Sequence, residues 1–280
     1  MRTIKTAEIT KHIREMCMEA NYTLSPDMKR RLKEAREQET GSIGLQILDQ
    51  LSENMKIAET ERIAICQDTG MAVVFIELGQ DVHIEGGSLA EAIEEGIRQG
   101  YQDGFLRKSV VRDPILRENT GDNTPGILHY DIVPGDKLKL TLAPKGFGSE
   151  NMSRISMLKP ADGIEGVKQA VIEAVSLAGP NACPPMVVGV GIGGTFEKCA
   201  FLAKKALTRD TDKPSEIPYV AELETELLET INHLGIGPGG LGGNTTALAV
   251  NIETYPTHIA GLPVAVNICC HVNRHVTRVL

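Results

Sequence analysis

Beyond residue 62 the sequence is broken into seven short apolar runs, at 63–65, 71–78, 127–133, 138–143, 186–190, 247–252 and 264–268. Each is short enough for a buried strand and is bounded by turn-forming residues. Stretches with apolar residues at helical spacing fall between several of them, at about 88–101, 164–178, 195–207 and 217–234. Strands alternating with helices of this length predict an α/β fold, with mixed sheets flanked by helices. The residues ahead of the first run read differently. Ile9, Ile13, Met16 and Ala20 recur at helical spacing after a possible Thr6 cap. Ser25-Pro26-Asp27 is a second helix start, with a cap, an N1 proline and an acid at the positive dipole end. A third helix is expected to include Leu48, Leu51 and Met55. The expected organisation is one domain over 1–280, with an N-terminal helical region over about 1–60 and an α/β body over about 61–280.

A chain of 280 residues with 41% hydrophobic residues can bury a core without staples. Its formal net charge of -8, from 29 Lys+Arg against 37 Asp+Glu, argues against a nucleic-acid partner. No apolar run approaches the ~20 residues of a membrane span. The opening residues mix Lys, Arg and Glu and have no apolar signal-peptide core, so a cytoplasmic protein with no membrane role is expected.

Six cysteines, at 17, 66, 183, 199, 269 and 270, need no disulfide framework in a reducing compartment. Cys17 and Cys199 lie inside helical patterns and suit the role of small buried hydrophobes. Cys66, Cys183 and Cys270 lie in or beside breaker-rich loops. Cys66-Gln67-Asp68-Thr69-Gly70 puts a thiol, an amide and a carboxylate together in a turn after the expected strand at 63–65. Asn181-Ala182-Cys183-Pro184-Pro185 is stiffened by two prolines, as are the Cys-Pro loops of ferredoxin-type clusters. Cys269-Cys270-His271 closes the last apolar run. No local Cys-x-x-Cys zinc pattern occurs, so the fold must assemble any metal site from distant loops. Three such thiolates suit a cubane cluster with one iron left without a protein ligand. Cys269 formally offers a fourth, but neighbouring strand residues point to opposite faces, so Cys269 and Cys270 should not both reach one site.

Two glycine-rich segments carry less information. The run 189–194 is a strand-to-helix turn whose commonest role is tight packing, and neither it nor 235–244 has a dinucleotide or P-loop spacing. The loop at 235–244 is open to two readings, a hinge between lobes or a close-approach loop at a ligand.

Five ordered anchors make the whole chain resemble the class I, iron-sulfur fumarate hydratases and the similar tartrate dehydratases, as their alpha subunit or N-terminal domain. They are Cys66-Gln67-Asp68-Thr69-Gly70, Lys145-Gly146-Phe147-Gly148-Ser149, Ala182-Cys183-Pro184-Pro185, Pro256-Thr257-His258, and Cys270 followed by Arg274. The resemblance implies a [4Fe-4S] cluster on Cys66, Cys183 and Cys270; at the doublet, Cys270 holds the family's place, twelve residues after His258 and four before Arg274. It implies that Gln67 binds a substrate oxygen, that Asp68 and His258 take part in proton transfer, that Arg107 grips a substrate carboxylate, and that the Gly148 amide approaches the substrate. Phe147 departs from the family's glycine-richer form of that loop, and the segment at 119–123 resembles a family segment without an assigned role. Lys108, Arg112 and Arg117, around Arg107, read as a solvated charged face.

The function expected from this resemblance is reversible hydration of fumarate to malate, with L-tartrate dehydration as the alternative. The substrate is a small dicarboxylate in either case. The resemblance also implies that further cationic groups of the site come from a beta subunit, in an expected heterotetramer or higher assembly of alpha-beta units. A reading from another class is a non-catalytic iron-sulfur or zinc binding module that regulates a partner.

Overall fold

The computed structural model describes residues 2–280. Along the chain run β1 (Arg2–Lys5), α1 (Thr6–Tyr22), α2 (Pro26–Gln38), α3 (Ser42–Glu61), β2 (Met71–Gly79), β3 (Val82–Glu85), α4 (Leu89–Asp103), β4 (Ile127–Val133) and β5 (Leu138–Lys145). There follow α5 (Phe147–Glu150), β6 (Arg154–Leu158), α6 (Gly163–Ala178), β7 (Met186–Gly193), α7 (Phe196–Ala206), α8 (Pro218–Asn232), β8 (Ala247–Tyr255), β9 (Leu262–Cys269) and β10 (Val276–Val279). The α/β class expected from the apolar runs is therefore observed. Among the described residues no helix is long and apolar enough to cross a membrane.

The chain divides into two compact units, each built from discontinuous segments. The first comprises Met1–Ser25, Asn54–Gly146 and Arg274–Leu280; the second comprises Pro26–Glu53 and Phe147–Asn273. Helical residues before Glu61 are thus shared out, with α1 in the first unit and α2 in the second.

In the first unit a mixed sheet has the order β10-β5-β2-β4, with β2 parallel to β4 and antiparallel to β5. Ala72, Val74 and Ile76 of β2 alternate onto the core, where they join Ile9, Ile13 and Met16 of α1 and Ile93, Ile97 and Tyr101 of α4. This is the period-two pattern of a strand meeting the period-3.6 stripe of two helices. In the second unit the sheet order is β6-β9-β7-β8, with β7 parallel to β8 and antiparallel to β9. Val188 and Val190 face a core that includes Val171 and Val175 of α6 and Leu223 and Leu227 of α8.

The opposite face of β7 is almost bare of side chains. A Cβ added at Gly189 would lie 2.2 Å from the Ala203 carbonyl, and one at Gly191 would lie 2.0 Å from the Cys199 carbonyl. The glycine run 189–194 therefore lets α7 lie directly on the strand. Gly191→Ala is expected to destabilise the chain by about 1–3 kcal/mol through overpacking, read as a lower denaturation midpoint.

Three sequence expectations shift. Thr6 is the first helical residue, with Lys5 at the cap position and no side-chain cap, because β1 runs directly into α1. The run at 63–65 is not a strand. Its backbone is used locally: the Ile63 amide donates to Ala58, the Ile65 amide donates to Asn21, and the Ile65 carbonyl accepts from Asn54. β6, by contrast, is a strand outside the seven apolar runs: it is a five-residue edge strand with no fully buried residue.

Candidate active site

Because β5 runs antiparallel to β2, the end of one lies beside the start of the other, with Met71 opposite Lys145. The turn Cys66-Gln67-Asp68-Thr69-Gly70 enters β2 at this end, and Gly146 leaves β5 there. The turn is closed from within: the Asp68 amide donates to Cys66 Sγ at 3.4 Å, and the Gly70 amide donates to Asp68 Oδ1 at 3.0 Å. Gly146 faces the same carboxylate, for a Cβ added there would lie 3.0 Å from Asp68 Oδ2. Gly70, at φ +77, has the Lys145 backbone 2.7 Å from its would-be Cβ, so no other residue fits without a shift. Gln67 is exposed, while Cys66 and Asp68 are half-buried.

Side chains from distant segments grip the turn. Tyr101, fully buried, donates to the carbonyls of Thr69 at 2.7 Å and Gly70 at 3.1 Å. Asn123, also fully buried, donates to the Gly70 carbonyl at 3.1 Å, and its Oδ1 accepts from the Ser109 amide at 2.7 Å. The Thr69 hydroxyl donates to the Arg107 carbonyl at 2.9 Å. Arg107 is thus tied to the turn by its backbone while its guanidinium is exposed. Asp122 supports Asn123. Burial alone would raise its pKa, but the Thr124 amide and hydroxyl and the Arg98 guanidinium hold it down at about 2. The segment at 119–123 therefore acquires a role that its resemblance to a family segment did not supply.

The second unit repeats this arrangement. The Cys183 turn enters β7, and β9 delivers Cys269 opposite Val187. Cys183 is exposed and left-handed at φ 50. Its carbonyl faces His271 Nδ1 at 3.0 Å, so the residue after Cys270 touches the Cys183 turn. Cys270 is half-buried, whereas Cys269 is only 6% exposed. The loop at 235–244 braces this turn: the Gly239 amide donates to the Pro184 carbonyl at 2.9 Å, and a Cβ at Gly240 would lie 2.3 Å from Pro180 Cβ. What approaches these glycines closely is the chain's own cysteine loop. Buried Glu39 anchors the loop's far end by accepting from the Asn244 amide at 2.9 Å. Gly148, in α5 of the same unit, is exposed, with nothing within 4 Å of an added Cβ.

His258 lies elsewhere. It is exposed in the turn between β8 and β9, at the opposite end of the sheet from the Cys183 and Cys270 loops. The eight residues of β7 separate the two ends by roughly 25 Å, at about 3.3 Å per residue.

The thiols divide into two groups. Burial pushes the Cys17 and Cys199 thiols above their ordinary range, where they resist becoming thiolates, and the Cys199 thiol donates to the Phe196 carbonyl. Cys183 is exposed, Cys66 and Cys270 are half-buried, and each stands on a loop. Among the described residues no three His, Cys, Asp or Glu side chains are gathered around one point as ligands of a single ion. A cubane places a different demand, since each thiolate binds a different iron and inorganic sulfide bridges them. The donor set is chemically suited to such a group.

Residues 10–279 match the family described as Fumarate hydratase (Fumerase). A protein from Methanocaldococcus jannaschii named putative L(+)-tartrate dehydratase subunit alpha is 44% identical over 266 residues, covering 93% of this chain and 93% of that protein. The L(+)-tartrate dehydratase subunit alpha of Escherichia coli strain K12 is 34% identical over 268 residues, covering 92% of this chain and 88% of that protein. The protein of the same name from Shigella boydii shows the same identity and coverage. By a match that runs nearly end to end, the chain belongs to the fumarate hydratase (Fumerase) family.

Proposed function

We propose that this chain is the alpha subunit of a two-subunit hydro-lyase that removes water from L(+)-tartrate, with fumarate/malate as the second substrate to test. The observation that carries this reading is the similarity, over nearly the full length of both chains, to proteins named tartrate dehydratase subunit alpha. Those names favour tartrate over the fumarate/malate substrate expected from the sequence.

Cys66, Cys183 and Cys270 are the residues that would hold a [4Fe-4S] cluster. When bound, the group supplies a Lewis-acidic iron with open positions, which makes hydroxide a better leaving group. The chain's own residues do the rest of the work on this side. The exposed Arg107 guanidinium pairs with a substrate carboxylate, a charge-assisted bond worth about 1.5–3 kcal/mol. The Gln67 amide binds a substrate oxygen. The Gly148 amide approaches the substrate, from a residue that is exposed. The Asp68 carboxylate, held on the turn by the Gly70 amide and lying beside the side-chain-free Cα of Gly146, accepts or returns a proton. Loss of water from tartrate leaves the enol of a 2-oxo diacid, whose developing charge needs more cations than Arg107 alone.

A beta subunit supplies those further groups. Full activity therefore requires co-expression, and the isolated chain is expected to turn over at about 1% of the complex or less, a loss typical of an incomplete set of transition-state contacts. The complex is assayed anaerobically with L(+)-tartrate, its stereoisomers and malate. A kcat/KM higher for malate than for L(+)-tartrate would reverse the substrate order.

His258 cannot reach the Cys183 and Cys270 end of its own sheet. We propose that its imidazole serves the site of a second alpha chain, which fits an assembly containing two alpha-beta units.

A further inference from the structure

Arg274 enters none of the roles described above, yet it is 3% exposed and lies against the proton-transfer turn. Its Nη2 donates to the carbonyl of Asp68, while Nε and Nη1 are buried without a hydrogen-bond partner. Its positive charge also acts on the Tyr101 hydroxyl, which holds the next two carbonyls of the same turn. The carbonyls of Asp68, Thr69 and Gly70 are thus each taken by a side chain from outside the turn, and one of these side chains is a buried cation.

For stability alone this is a poor solution. A guanidinium with two unpaired buried donors carries a desolvation cost that an apolar side chain of similar length avoids. A buried group that is expensive to keep and held on a functional turn points to function.

We propose that Arg274 is a positioning residue for the Cys66–Asp68 turn, acting through the Asp68 carbonyl to fix the Cys66 thiol and the Asp68 carboxylate. It contributes to catalysis and little to folding stability. The catalytic part rests on the hydro-lyase reading; the positioning part does not.

The test compares Arg274→Met, which keeps the length and removes the donors, with Arg274→Lys, which keeps the charge and one reach to the carbonyl. In the full chain without cofactor, Arg274→Met is expected to leave the melting temperature within a few degrees of the parent or above it. Hydrogen exchange at the amides of Asp68 and Gly70 is expected to quicken about tenfold or more, with β2 unchanged. In the alpha-beta complex, kcat is expected to fall at least tenfold with KM altered less than threefold, and Arg274→Lys recovers part of both effects. The positioning claim is overturned by unchanged exchange at Asp68 and Gly70, or by a loss of melting temperature that Arg274→Lys fails to restore. Parent kcat in Arg274→Met, with exchange quickened, overturns the catalytic claim. If the parent complex is not a hydro-lyase, the exchange result still decides the first claim.

Discussion

Serine at Cys66, Cys183 or Cys270 is expected to leave the alpha-beta complex without hydro-lyase activity and without the visible absorbance of an iron-sulfur cluster. Serine at Cys17, Cys199 or Cys269 is expected to leave both in place. The difference follows from position. Cys17 and Cys199 are sealed in cores that hold their protons on, and Cys269 is a strand residue in register with Val187. Cys270 is the first residue past that strand, and its neighbour His271 touches the Cys183 turn. Loss of one thiolate from a set of three removes an iron anchor, and the other three thiols, Cys17, Cys199 and Cys269, are buried. Absorbance and iron content after anaerobic reconstitution, read on all six variants, check the assignment. Loss of the cluster in Cys269→Ser with retention in Cys270→Ser would reverse it at the doublet.

The second large effect concerns His258. His258→Ala and Cys183→Ser complexes are each expected to lose at least a hundredfold in kcat, the first through a missing acid-base group and the second through a missing ligand. Co-expression of the two variant alpha chains is expected to restore activity. In a mixed pair, the chain with intact cysteines meets the chain with an intact histidine, so one site in two is whole. With statistical pairing of two copies, about one quarter of the parent activity returns. The alternative outcome is as informative: no recovery, in mixed complexes shown by mass to contain both chains, would mean that His258 does not act across copies.

The division of labour between sequence and structure can be traced in single residues. β2 was legible as an unbroken apolar run because consecutive residues from Ala72 to Ile76 are all buried, on both faces of the strand. The short edge strands were not, since nothing in β6 has to be hidden. The three loop cysteines were legible because breakers surround them. Asn123, Tyr101 and Arg274 were not, because their contribution is made through hydrogen bonds to main-chain carbonyls far away in sequence, and a carbonyl leaves no residue signature. Asn123 did stand in a conspicuous Asn-Thr-Gly-Asp-Asn run, and its left-handed backbone explains that choice of residues. The displacement of His258 from the cysteines depends on strand direction, which the resemblance of separate motifs does not encode.

The interleaving of the two units also constrains how the molecule is made. β10 and Arg274 belong with α1 and β2, yet they are synthesised after every residue of the other unit. During translation β5 emerges with its outer edge unpaired, and it stays so until β10 has left the ribosome. The Asp68 carbonyl waits equally long for its guanidinium. The loops of Cys183 and Cys270 are therefore synthesised before the guanidinium that closes the Cys66 turn, so vectorial synthesis completes that turn only after both of them exist.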